Sequence, residues 1–237
     1  MKQMETDRYY TALIKSLDQD EAPHWIEKDL PNLEFYLRHP DVARSHIPRM
    51  TNALHMSMRA PDQCVLPSTK RAWDKLSEVI TPYKDIIIAW NAVAVVFGSV
   101  AYDAPNRKDI DLALYSRVDA MPRKIRTILD NAMWTPKPER PATIDFSLQS
   151  LEPWKALAVD PHTFSDPDQA IALAADTSLQ TPVLYGILFV GNETVRHQLQ
   201  QDVLAMVNKH AHIAGLVAAD LAYTLKAVRL RQAQKTV

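Results

Sequence analysis

Cysteine occurs once in this sequence, at Cys64. A single thiol excludes an internal disulfide and a cysteine-based structural zinc site, and points to a reducing compartment, the cytoplasm. Long hydrophobic runs are missing too. The longest, Ile86 to Phe97, is interrupted by Asn91 and falls short of the roughly 18 residues that a membrane-crossing helix needs. Met1 to Arg8 carry no apolar signal-peptide core, so neither secretion by that route nor a membrane partner is expected. Glycine is scarce (4 residues) while proline is not (16), which favours helices joined by short, stiff connections over flexible linkers. Charge of one sign is not in excess either. The 27 Lys and Arg nearly balance 28 Asp and Glu, so the global charge announces no polyanion partner. What remains is 237 residues with 47% apolar side chains, enough to bury a substantial core in one or two domains.

Apolar spacing predicts a helix from Gln3 to about Asp18 through Tyr9, Tyr10, Leu13, Ile14 and Leu17. A second helix is expected from His24 to Arg38, kinked or broken at Pro31, and a third after Asp41 as N-cap, distorted in its early turns by Pro48. The polar side of that third helix is basic: Arg44, His46, Arg49, His55 and Arg59. Ser68 is expected to cap a further helix that stops at Pro82. The run Ile86 to Trp90 fits a strand or a helical end equally well. Ala92 to Phe97 reads as a strand, Ser116 to Trp134 as a helix, and Ala142 to Leu148 as another strand after the proline-rich connection Pro136 to Pro141. Short helices at Leu151 to Ala158 and Pro167 to Ala175 precede an expected strand at Pro182 to Val190. Two helices, about Thr194 to Lys209 and Ile213 to Ala233, close the chain around His210 and His212. Those two histidines read either as metal ligands or as a polar helix connection.

The chemistry concentrates between Val95 and Leu114. An apolar strand enters a Gly98-Ser99 turn, and a short polar loop with Arg107 and Lys108 leads to a strand carrying Asp109 and Asp111. Strand side chains alternate faces, so Asp109 and Asp111 emerge on one side while Ile110, Leu112 and Leu114 take the other. In the later strand Thr143, Asp145 and Ser147 share a face. A third carboxylate therefore joins the first two if the strands are neighbours. Three such carboxylates are hard oxygen donors suited to Mg²⁺, and a glycine turn lets backbone amides and a serine hydroxyl approach phosphate closely. Arg107 and Lys108 stand where they could neutralise a phosphate.

Gly98-Ser99, then Asp109-Ile110-Asp111-Leu112 ten residues after the serine, then Asp145 in a later strand, resembles the nucleotidyltransferase superfamily of DNA polymerase β, most of all its minimal, toxin-type branch. The resemblance covers about residues 92 to 148. It implies an α+β fold, a small mixed sheet flanked by helices, with an N-terminal helical region (1–82), a nucleotidyltransferase core (83–192) and a C-terminal helical region (193–237). It implies transfer of a nucleoside monophosphate from an NTP to a hydroxyl-type acceptor (tRNA or other RNA, a protein or a small molecule) with release of pyrophosphate. Asp109 and Asp111 would bind two Mg²⁺ ions, with Mn²⁺ as an alternative. Asp145 would bind the catalytic ion and help deprotonate the acceptor, and Gly98 and Ser99 would hold the triphosphate. Lys226, with Arg229 and Arg231, would reach the triphosphate from the appended helices. An antitoxin-type partner or a second copy of the chain are the protein partners it allows. The chain departs from the pattern at Tyr102 and Lys108, where many minimal members have arginine and serine. The alternative is a catalytically inactive module of the same fold that binds a protein or nucleic acid. Arg49 and His55, six residues apart, also loosely resemble the motif of HEPN-type ribonucleases.

Overall fold

The computed structural model describes residues 2–17, 22–105, 109–116 and 143–234. The fold is α+β, with one four-stranded mixed sheet and flanking helices. Among the described residues no helix is long and apolar enough to cross a membrane. The chain groups into two compact units, each drawn from separated segments. One comprises Met1–Ala53, Leu151–Leu184 and Gln200–Lys226, the other Leu54–Ser150, Tyr185–Leu199 and Ala227–Val237.

The first unit is built of helices. In Lys2–Lys15 the spacing of Tyr9 and Leu13 buries both, and the Tyr9 hydroxyl donates to the Ala170 carbonyl at 3.2 Å on helix Pro167–Gln180. The expected second helix divides at Asp29 into His24–Lys28 and Leu30–Arg38. Pro31 falls in the first turn of the second piece, where its missing N–H forfeits no helix bond. The third helix is Pro40–Ser57, so Asp41 lies inside its first turn instead of capping it, because proline already presets the helical φ. Pro48 is carried inside that helix. Gly215 lies within helix Ala211–Ala233, where a Cβ would come within 2.7 Å of Leu37 Cδ2 and 3.0 Å of Leu37 Cα. The glycine lets Leu30–Arg38 pack with its backbone against the last helix, a gain that outweighs its poor helix propensity of about 1 kcal/mol. Inside the unit Trp154 Nε1 donates to Thr177 Oγ1 at 3.0 Å, and the Thr177 hydroxyl in turn donates to the Leu173 carbonyl at 2.7 Å.

The second unit holds the sheet, in the order β3-β2-β1-β4. Strand β1 (Ala92–Phe97) is a continuous β-branched and small apolar run, buried through Val96, as suits a central strand covered on both faces. It pairs antiparallel with β2 (Asp109–Ser116) and with β4 (Ile187–Val190), while β3 (Thr143–Ser150) runs parallel to β2. Two expectations are corrected and one open reading is decided. Pro67, not Ser68, opens helix Pro67–Ile80, with Leu66 at its N-cap. Ile86 to Trp90 resolves as helix Lys84–Ala89, after which Asn91 at φ 48° turns the chain into β1. The strand expected over Pro182 to Val190 is only Ile187–Val190. Pro182–Tyr185 forms a helical turn, since β4 finds partners along β1 only opposite Ala94, Val95 and Val96. The expected helix after Ser116 and the connection over 136–141 lie outside the described residues. The last two helices are Glu193–Lys209 and Ala211–Ala233.

Candidate active site at one end of the sheet

Strand β1 delivers the chain into Gly98 at φ +64°, a left-handed conformation that costs an L-residue roughly 1–2 kcal/mol. A one-turn helix, Gly98–Ala101, follows. The register sets Phe97 opposite Asp111, which brings the Asp111 carboxylate over Gly98. A Cβ on Gly98 would overlap that carboxylate, lying 2.6 Å from Asp111 Cγ. Glycine is therefore required twice, by the turn and by the acid that rests on it. Ser99 is buried, and its Oγ has no hydrogen-bond partner among the described residues. Such an orphan hydroxyl costs about 1–3 kcal/mol, which an incoming oxygen would offset.

The turn is braced from behind. The Ala101 carbonyl accepts the Arg59 amide at 2.8 Å, and the Ser99 carbonyl accepts the Ala104 amide at 2.9 Å. Asp103, 1% exposed and at φ +50°, accepts the backbone amides of Val65 at 3.0 Å and Leu66 at 3.3 Å. Its carboxylate thus fixes the two residues that lead into helix Pro67–Ile80. Sequence reading gave Asp103 no role. Its signal, a left-handed φ at a residue that tolerates one, exists only in the folded turn.

The backbones of Asp111 and Asp145 fall in one register row. Asp111 of β2 is paired with Asp145 of the parallel strand β3, and Asp109 with Thr143. With adjacent strands about 4.8 Å apart, Gly98, Asp111 and the backbone of Asp145 stand side by side at one end of the sheet. Asp109 and Asp111 are each partly exposed there. The side chain of Asp145 lies outside the described ones, as do Arg107 and Lys108. Among the described residues no three His, Cys, Asp or Glu side chains stand together at metal-ligand spacing. Lys226 is exposed on helix Ala211–Ala233 and belongs to the first unit. Of the basic helix face, Arg44 donates to the Val207 carbonyl and Asp41, His46 meets the Tyr36 hydroxyl, and Arg59 donates to the Met56 and Met58 carbonyls. Arg49 and His55 are exposed.

Sequence reading passed over a buried cation at this sheet end. Arg196 is 8% exposed and donates through Nη2 to the Gly186 carbonyl at 2.8 Å. Gly186 immediately precedes β4, whose Ile187 pairs with Val96, so this carbonyl lies at the same end of the sheet as Gly98. Arg196 Nη1 is 3.7 Å from the exposed Glu193 carboxylate, and its Nε has no partner among the described residues. Burial lowers its pKa from the ordinary arginine value, partly opposed by Glu193. A guanidinium this desolvated and thinly paired is unfavourable unless an anion completes it. The sequence signal was helical spacing. Arg196 lies three residues before Leu199 and seven before Val203, both fully buried, and so falls on the inward face. Tyr102, at a position where the resembled family places arginine, is itself buried.

No protein-family model, curated protein or solved structure matches this chain.

Proposed function

We propose that this protein is a divalent-metal-dependent nucleotidyltransferase of the DNA polymerase β type, which moves a nucleoside monophosphate from an NTP to a hydroxyl-type acceptor and releases pyrophosphate. The observation that carries this reading is the register row in which Gly98, Asp111 and the backbone of Asp145 adjoin at one sheet end, with the buried Ser99 hydroxyl, unpartnered among the described residues, beside them. The donor set fits Mg²⁺, since Asp109 and Asp111 offer only hard carboxylate oxygens. Bound there, Mg²⁺ would neutralise phosphate charge and lower the pKa of an acceptor hydroxyl.

The protein's own part is position and charge. Asp109 and Asp111 hold the metal-binding end. Gly98 leaves room for the Asp111 carboxylate, and Ser99 Oγ donates to a phosphate oxygen. Arg196, across β1 from the carboxylates, supplies the positive end of the same row, and a triphosphate laid along the row would run from carboxylate to guanidinium. Asp145 takes the role of acceptor deprotonation. Pre-arranged groups of this kind are the principal source of rate in phosphoryl transfer.

The test is incubation of the full chain with each of four α-labelled NTPs, Mg²⁺, cellular RNA and cellular protein. Label transfer that Asp109→Ala and Asp111→Ala abolish supports the reading. Absence of transfer to any acceptor together with absence of Mg²⁺-dependent NTP binding overturns it.

A further inference from the structure

We propose that His210 and His212 form a binding site for a divalent transition-metal ion, in the helical unit and independent of the carboxylate row. The two residues flank the junction between helices Glu193–Lys209 and Ala211–Ala233 and line a cavity of about 460 Å³ with Glu5, Lys209, Ala158 and Phe164.

The ring geometry suits a shared ion. The imidazole centroids are 5.6 Å apart with planes inclined at 61°. An ion about 2.0–2.1 Å from one nitrogen of each ring would lie about 3.2 Å from each ring centre, so this separation leaves room for one shared ion, at an N–metal–N angle of about 120° once a nitrogen of each ring turns toward it. The tautomer of His212 follows from its partner. Its Nε2 is 3.2 Å from the Ala158 carbonyl, which can only accept, so Nε2 carries the proton and Nδ1 keeps the lone pair. A ligating histidine whose other nitrogen donates to a backbone carbonyl is the ordinary supporting arrangement of imidazole metal sites. His210 Nε2 is shielded from solvent and has no hydrogen-bond partner among the described residues. His212 is held in place by Phe164, 4.7 Å away and nearly perpendicular, and by Tyr9 at 5.8 Å. Its ring is thus pre-oriented before any ion arrives.

Two imidazoles select borderline metals such as Zn²⁺, Co²⁺, Ni²⁺ and Cu²⁺ over Mg²⁺. Because no third donor already stands at ligand spacing among the described residues, the remaining positions fall to water in the cavity or to the Glu5 carboxylate after side-chain rotation. Lys209 on the same wall opposes the cation and keeps the site weaker than a three-residue one.

The experiment uses the full chain, stripped with chelator and titrated at pH 8 with Co²⁺ in the presence of excess Mg²⁺, which occupies carboxylate sites. One Co²⁺ per chain, with visible d–d absorption, is expected, and His212→Ala and His210→Ala should each weaken it by about tenfold or more. Circular dichroism checks that each variant folds. His210, only partly buried, keeps the test decisive if loss of His212 disturbs the core. Absence of stoichiometric Co²⁺ binding, or binding that His210→Ala leaves unchanged, overturns the proposal.

Discussion

The Asp111 carboxylate rests in the space that a side chain at Gly98 would fill. The two residues meet because β1 and β2 pair antiparallel with Phe97 opposite Asp111, so the turn after β1 passes under the acid of β2. Gly98→Ala should therefore cost about 1–2 kcal/mol from its left-handed φ, plus the cost of displacing the carboxylate. In an Asp111→Ala background the second part vanishes. A urea-denaturation double-mutant cycle should show coupling of about 1 kcal/mol or more, and additivity within error would refute the contact.

Asp103 is expected to act through the turn's brace. Asp103→Ala strands the amides of Val65 and Leu66 and should destabilise the protein by about 1–3 kcal/mol, whereas Asp103→Asn, which keeps one acceptor and tolerates the same φ, should lose less. Chemical denaturation of the two variants checks the order.

Arg196→Met should weaken both folding and nucleotide binding. The buried Gly186 carbonyl loses its donor, at a cost of about 1–3 kcal/mol in stability, while affinity of the folded variant for a fluorescent NTP analogue falls by about tenfold, or 1.4 kcal/mol. Unchanged affinity would confine Arg196 to holding the Gly186 carbonyl.

Asp220 makes stability depend on pH. Burial pushes its carboxyl up to about 7, against a partial downward pull from the Thr181 hydroxyl. An unfolded chain releases that proton near pH 4. Between about 4 and 7 the folded state thus binds more protons, and the stability contributed by the neutral acid is lost as pH rises. Asp220→Asn should remove this loss. Its advantage over wild type, followed by calorimetry, should grow by about 1.4 kcal/mol per pH unit across that window and level off above it. A constant difference would show that Asp220 titrates normally.

Much of the local structure was legible. Tyr9 and Leu13, or Trp73, Leu76 and Ile80, repeat at helical spacing and lie on buried faces, because a 3.6-residue period leaves an amphipathic segment few other ways to hide its apolar side. Ile86 to Trp90 was ambiguous for the converse reason, being too short and too uniformly apolar to show a period. Pro182 to Val190 read as one strand because β-branched and aromatic residues suit a strand, yet the available edge of β1 admits only its second half. Ser68 is not the cap because Pro67 takes the first helical position, where its preset φ opens the helix behind Leu66.

The sequence by itself determined the candidate chemistry: a glycine-serine turn, two aspartates whose alternation gives them a common face, and apolar runs strong enough to form the strands that carry them. Tertiary structure alone decided that β3 pairs in parallel with β2 so that Asp145 comes level with Asp111, that Asp111 settles on Gly98, and that Arg196 reaches the same sheet end. The first two join residues 34 and 13 positions apart. Local propensity sets which residues can share a face, and only strand order and register set which faces meet.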